Sequence, residues 1–193
     1  MHVPLPLAPD DVQFCIFSVT FSSDDREILG GANDGCIYIY DRGSDQRSHQ
    51  ILAHQADVNT VCFLDDNTNV LASGADDGLV KIWDRRELRE SSSRPCPVGS
   101  MAGHVDGITY VSPKGDGRYL ISNSKDQSIK LWDLRKFSNT ETVMDGLRAA
   151  SGQRWDYRMQ RVPRHVTRSR SRVEGDTSIM TYTGHTVLKT LIR

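Results

Sequence analysis

Residues Leu71 to Arg86, LASGADDGLVKIWDRR, recur in outline at Leu120 to Arg135 as LISNSKDQSIKLWDLR, and a worn copy stands at Ile28 to Arg42, ILGGANDGCIYIYDR. A chain that repeats one short design has to pack that design against itself, so this feature restricts the fold more than any other. Each copy reads as a hairpin: a short apolar strand, a turn on Asp34, Asp77 or Asp126, then an alternating strand ending in Tyr40-Asp41, Trp83-Asp84 or Trp132-Asp133. Within Leu79 to Trp83 the polar Lys81 falls between apolar neighbours, the period-two pattern of a strand with one wetter face. A further strand is predicted ahead of each hairpin, at Ile16 to Phe21, Val58 to Phe63 and Ile108 to Val111. Outer fourth strands are expected near His49 to Leu52, Pro97 to Met101 and Ser178 to Tyr182.

A histidine stands four residues before the second and third of these leading strands. His54 lies 29 positions before Trp83, and His104 lies 28 before Trp132. Ser, His and Asp together suggest a nucleophile relay. Here, however, His54, Ser73, Asp77 and Trp83 return as His104, Ser122, Asp126 and Trp132 at nearly the same spacing. A catalytic triad is needed once per site, whereas a structural network is needed once per repeat, so no catalytic residue is assigned and a non-enzymatic protein is expected.

The Gly-His to Trp-Asp spacing with an aspartate turn between is similar to the WD40 family, whose repeats each supply one four-stranded propeller blade. The resemblance covers most of residues 12 to 193. It implies an all-β, incomplete WD40 β-propeller of about three four-stranded blades plus the start of another. It also implies that the two His-Ser-Asp-Trp sets are tetrads hydrogen-bonded across their blades. Both Trp-Asp sites continue to arginine, Trp83-Asp84-Arg85-Arg86 and Trp132-Asp133-Leu134-Arg135. That resembles the Trp-Asp-x-Arg box of substrate receptors for cullin-4 RING ubiquitin ligases. The resemblance implies that Arg86 and Arg135 dock on the ligase adaptor, damaged-DNA-binding protein 1, while another face recruits protein substrates for ubiquitination. A general WD40 scaffold or peptide reader without ligase contact is the alternative. Trp155-Asp156-Tyr157-Arg158 spells the same four-residue pattern, but Ser151 to Arg154 before it is no strand and no histidine lies 28 or 29 residues upstream, which marks it as a decoy.

Along the chain, residues 1–11 read as a loose proline-rich lead-in and 12–135 as blades one to three. Residues 136–177 read as a basic, disordered insertion, and 178–193 as the delayed outer strand of blade three and the start of the next repeat. The lag is visible in the spacing: His54 to His104 is 50 residues, yet His185 comes 81 later. Net charge is -1, but residues 136–193 carry 11 basic and 5 acidic side chains against 13 and 20 in residues 1–135. Eight arginines and only Asp156 as an acid lie between Gly146 and Arg172, a like-charge stretch of the kind that stays solvated. Arg168 to Arg172 suits a nuclear import signal better than RNA, because few aromatic platforms accompany it.

Four cysteines at wide spacing make no metal-ligand pattern, and no cofactor is implied. Reduced thiols in an intracellular protein, nuclear or cytoplasmic, are expected. No apolar run approaches the roughly 20 residues of a membrane helix, so no membrane partner is expected. Three blades are also too few to close a ring. The outermost two are therefore predicted to expose apolar faces, and the chain to be part of a longer propeller.

Overall fold

The computed structural model describes residues 7, 13–88, 95–164, 166 and 173–188. Among the described residues twelve strands form three antiparallel four-stranded sheets, each in sequence order. The first holds β1 (Ile16–Phe21), β2 (Glu27–Ala32), β3 (Cys36–Asp41) and β4 (Gln46–Leu52). The second holds β5 (Val58–Phe63), β6 (Val70–Ala75), β7 (Val80–Asp84) and β8 (Gly99–Met101). The third holds β9 (Ile108–Pro113), β10 (Tyr119–Ser124), β11 (Ser128–Asp133) and, after the insertion, β12 (Met180–Thr183). Each outer strand lies within a few residues of its expected place.

The repeat is one of register as well as sequence. Ile28 faces Tyr40, Leu71 faces Trp83 and Leu120 faces Trp132, so Tyr40 occupies the tryptophan position of the worn copy. The hairpin turns are built alike. Asp34, Asp77 and Asp126 each accept from the backbone N–H two residues on, at 3.0, 3.1 and 2.9 Å, the local carboxylate bond that favours aspartate in such turns. The next residue is left-handed in all three: Gly35 and Gly78 at φ 77° and Gln127 at φ 68°. A Cβ on Gly35 would lie 2.5 Å from the carbonyl oxygen of His54, so only glycine fits there. Gln127 departs from that rule, and its side chain has work of its own. Its Nε2 donates to Val187 O at 3.2 Å and its Oε1 accepts from Val187 N at 2.7 Å, pinning the segment that enters the next repeat.

The core lies between sheets. Leu29, Ile37, Ile39 and Ile51 of the first pack on Val58, Val61, Leu71 and Trp83 of the second. Ala72, Val80, Ile82 and Met101 of the second pack on Ile108, Val111, Leu120 and Trp132 of the third. Burying each such large side chain contributes about 1.5–3 kcal/mol, so the two seams hold the three blades together. Arg85 reinforces the first seam with a bidentate pair to Glu27, and Lys125 reinforces the second with a 2.6 Å pair to Asp76. The outward face of the third sheet is uncovered, with Ile121, Met180 and Tyr182 exposed. That of the first is covered in part, against expectation: Val19 and Phe21 are exposed, but Leu7 and Phe14 pack over Cys36, Tyr38 and Tyr40, which are buried.

The insertion departs from expectation. Residues Thr140–Ser151 form a helix, α1, where a disordered segment was expected. Asn139 caps it, its side chain accepting from Thr142 N at 2.8 Å, with Glu141 in the first turn and Arg148 in the last. Thr142, Gly146 and Ala150 recur at four-residue spacing and make one narrow, small-residue face. Gly146 sits against Ala102 and Leu79, and Ala150 against Gly78, so the helix lies close on the second blade. Arginine density alone was a poor guide, because Arg148 points outward and pairs with Asp145 at 2.8 Å while the small residues do the packing. Past the helix, Lys130 of β11 pairs with the buried Asp176 at 2.7 Å and ties the returning chain back to its blade. The expected lead-in and the import-signal stretch 168–172 lie outside the described residues, except that Leu7 is buried against the first sheet and accepts from Arg47 Nη1 at 2.9 Å.

Candidate functional site

The two predicted His-Ser-Asp-Trp sets come together. His54 Nδ1 lies 2.9 Å from Asp77 Oδ2, His54 Nε2 lies 2.7 Å from Ser73 Oγ, and Trp83 Nε1 donates to that oxygen at 2.9 Å. In the third sheet His104 lies 2.9 Å from Asp126 Oδ2 and 2.7 Å from Ser122 Oγ, and Trp132 Nε1 donates to Ser122 at 2.7 Å. An indole N–H can only donate, so the serine oxygen accepts from it and turns its own proton toward Nε2. The imidazole proton is thereby left on Nδ1, facing the aspartate. Burial holds the His54 pKa below its ordinary value, consistent with a neutral ring. Burial tends to raise Asp126, but His104 beside it and bonds from His104, Ser128 and Val105 outweigh it and hold the carboxyl at about 2. Asp77 is likewise lowered: burial opposes ionisation, and the bond from His54 leads the effects that overcome it. Ser73 and Ser122 are 0% and 1% exposed, so no substrate reaches either hydroxyl.

The worn first repeat has no such set, since Gly30 stands where the serine belongs. Its Asp34 accepts from the buried Tyr38 hydroxyl instead, and Gln50 Nε2 donates to that hydroxyl at 3.1 Å.

Arg86 and Arg135 follow β7 and β11, the third strands of adjacent sheets, and so emerge at the same end of the propeller. They adopt one geometry. Arg86 Nε donates to Asp84 Oδ1 at 2.9 Å and Nη2 to Oδ2 at 2.5 Å. Arg135 does the same to Asp133 at 3.0 and 2.7 Å. The arginines' bonds hold both carboxyls below the usual range. Each arginine side chain is nevertheless about two-thirds exposed, at 66% and 63%, and among the described residues nothing hydrogen-bonds to Nη1. The arrangement is a forked donor held in place from behind and open in front, suited to a carbonyl or carboxylate on another protein. Arg118 also lies near Asp133, at 3.6 Å, a contribution that the repeat pattern did not signal. In the first sheet this position is Gly43, which supplies only a backbone N–H to Asp41 at 2.7 Å.

The decoy is instructive. Arg158 donates to Asp156 from its backbone N at 2.9 Å and its Nε at 3.1 Å, part of the same clasp, although no strand precedes it. An Asp-x-Arg clasp is thus a local property, and only the placing of Arg86 and Arg135 on neighbouring blades sets them apart. Trp155 does something else: its Nε1 donates to Asp106 Oδ2 at 2.8 Å, hooking the insertion to the turn before β9.

Asp106 is buried, which pushes its carboxyl up to about 6 despite bonds from Gly107 N and Trp155. A folded-state value above the unfolded one contributes stability that is complete below about pH 4 and lost as pH rises through about 6. Between about pH 5 and pH 7.5 the wild type should therefore lose about 1 kcal/mol relative to Asp106→Asn, measured by urea unfolding. A constant difference across that range would mean that Asp106 is ionised throughout.

Among the described residues no group of His, Cys, Asp and Glu is arranged to hold a metal, and no helix is long and apolar enough to cross a membrane. The WD domain, G-beta repeat family matches residues 11–41, 46–84 and 95–133. The chain is 47% identical over 182 residues to a DDB1- and CUL4-associated factor 11 homolog of Caenorhabditis briggsae, covering 94% of this chain and 32% of that one. It is 44% identical over 184 residues to a LEC14B homolog of Prunus armeniaca, covering 95% and 37%. It thus spans about a third of the length of these curated relatives. Among solved structures, that of U3-55K superposes with a TM-score of 0.60 at 19% identity over 91% of this chain and 41% of that one, a likeness of fold. Three matched repeats covering more than half the residues, folded as three successive four-stranded blades, establish that the chain belongs to the WD40 family.

Proposed function

We propose that the protein is a non-catalytic substrate receptor of a cullin-4 RING ubiquitin ligase, docking on the damaged-DNA-binding adaptor through Arg86 and Arg135. One observation carries the reading: two exposed guanidiniums, each clasped by the aspartate of its own Trp-Asp, at matched ends of adjacent blades. The relative named as a DDB1- and CUL4-associated factor, at 47% identity, supports it. Bond-making would belong to the ligase partners, and the buried serines are consistent with that division of labour. Such a receptor works inside the cell, in the nucleus or the cytoplasm.

A general WD40 scaffold is the second reading, and the Asp156–Arg158 clasp favours it, since that pairing forms where no blade presents it. The two separate when the tagged full-length protein is purified from cells and probed for the adaptor, with and without Arg86→Glu and Arg135→Glu. Recovery that depends on the two arginines supports the receptor, no adaptor from either protein favours the scaffold, and equal recovery from both removes the two arginines from docking.

A further inference from the structure

After α1 the insertion crosses to the end of the blades opposite Arg86 and Arg135. Trp155 is fastened there by Asp106, and Tyr157 is buried with Lys125 Nζ 4.8 Å from its ring centre. This stretch forms one wall of a cleft of about 570 Å3. The opposite wall comes from the blades: Phe17 of β1, Asp57 ahead of β5, and Asp76 in the β6–β7 turn.

The charges in the cleft do not all cancel in place. Asp76 takes Lys125 at 2.6 Å, and Asp156 takes Arg158 at 3.1 Å. The exposed Arg154 also lines the cleft, and among the described residues the half-buried Asp57 carboxylate has no hydrogen bond or ion pair. Burial and the neighbouring charge of Asp76 both raise its pKa, with Lys125 and Arg158 partly offsetting them. An anion held without a contact partner beside another anion attracts a cation, and the rings of Phe17 and Trp155 add faces on which a cation is favoured. The opening is a cleft rather than a closed cavity, so it suits a side chain presented by an extended segment.

We propose that this cleft binds a linear segment of the recruited protein, seating a lysine or arginine side chain on Asp57 between the aromatic walls. The inference rests on the receptor reading, because it assigns substrate capture to the end away from the adaptor. It also explains why the insertion packs on the blades: Trp155 and Tyr157 complete a site that the repeats alone leave open.

The test uses the full-length protein with its adaptor and an array of short degenerate peptides whose fixed central residue is Lys, Arg, Glu, phosphoserine or Ala. Lys- and Arg-centred peptides should be retained. Asp57→Asn should weaken them at least tenfold while adaptor recovery and melting stay as in the wild type, because Asp57 supports no other group. Asp57→Lys should shift retention toward Glu-centred peptides. Preference of the wild type for Glu or phosphoserine, retention of Lys and Arg peptides undiminished by Asp57→Asn, or displacement of the peptides by single-stranded RNA would each overturn the proposal. Peptide retention that depends on Asp57 in a protein that recovers no adaptor would sink the receptor reading and leave the cleft standing.

Discussion

Replacing Arg86 and Arg135 together by glutamate is expected to lower adaptor recovery thirtyfold or more, the scale of losing one central interface arginine. The geometry explains why so few side chains carry so much. A surface arginine normally gives up rotamer freedom when it meets a partner, and that ordering weakens binding. Here Asp84 and Asp133 already hold the guanidiniums, so much of that freedom is gone before docking. Glutamate would reverse the charge and set a like charge beside each aspartate, yet both positions are exposed and the blades should survive. Arg158→Glu is the matched control, because it breaks a similar clasp that no blade presents, and recovery should not change. Arg85→Glu should act differently. It breaks the bidentate pair to Glu27 across the first seam, so its effect should appear as lost stability rather than as selective loss of docking. A double variant that folds and recovers the adaptor in full would remove the basis for assigning these arginines to docking.

What could be read from the chain beforehand follows from which interactions are periodic. Strand positions, the register of Leu71 on Trp83 and of Leu120 on Trp132, and the composition of both tetrads repeat with the blade, so a single sequence carries them in duplicate. The contacts that escaped notice occur once. Glu27 and Arg85 meet across a seam 58 positions apart, and nothing near either marks the pairing. The insertion was judged by its eight arginines, although the packing face of α1 is written in Thr142, Gly146 and Ala150. The Asn139 cap with Glu141 just inside it was a legible start signal outweighed by charge. Trp155 follows no strand, unlike the Trp-Asp positions of the blades. Its partner Asp106 lies 49 residues away in a turn, and no spacing rule connects them. Asp57 lies in that same class, since its meaning comes only from the insertion that folds over it.

Loss of the Asp126 carboxylate should be the most damaging single change in the tetrads. Asp126 accepts from His104 Nδ1 at 2.9 Å, Val105 N at 3.1 Å, Ser128 N at 2.9 Å and Ser128 Oγ at 2.6 Å. Alanine would strip all four donors of their acceptor in a site where water cannot replace it. Removing one partner of a buried ionic or hydrogen-bonded set costs about 3–5 kcal/mol. Asp77→Ala should cost less, about 1.5–3 kcal/mol, because Asp77 serves only His54 and Leu79 N. The pH dependence gives an independent check. The folded value of Asp126 is about 2, below its ordinary 3.8, so its contribution is complete above about pH 4 and disappears as pH falls toward 2. That window amounts to about 2 kcal/mol in the wild type and should be missing from Asp126→Ala. Urea unfolding at neutral and acid pH measures both quantities. A variant with an unchanged midpoint at pH 7 would reduce Asp126 to a turn residue and leave His104 to be held by Ser122 and Ser128.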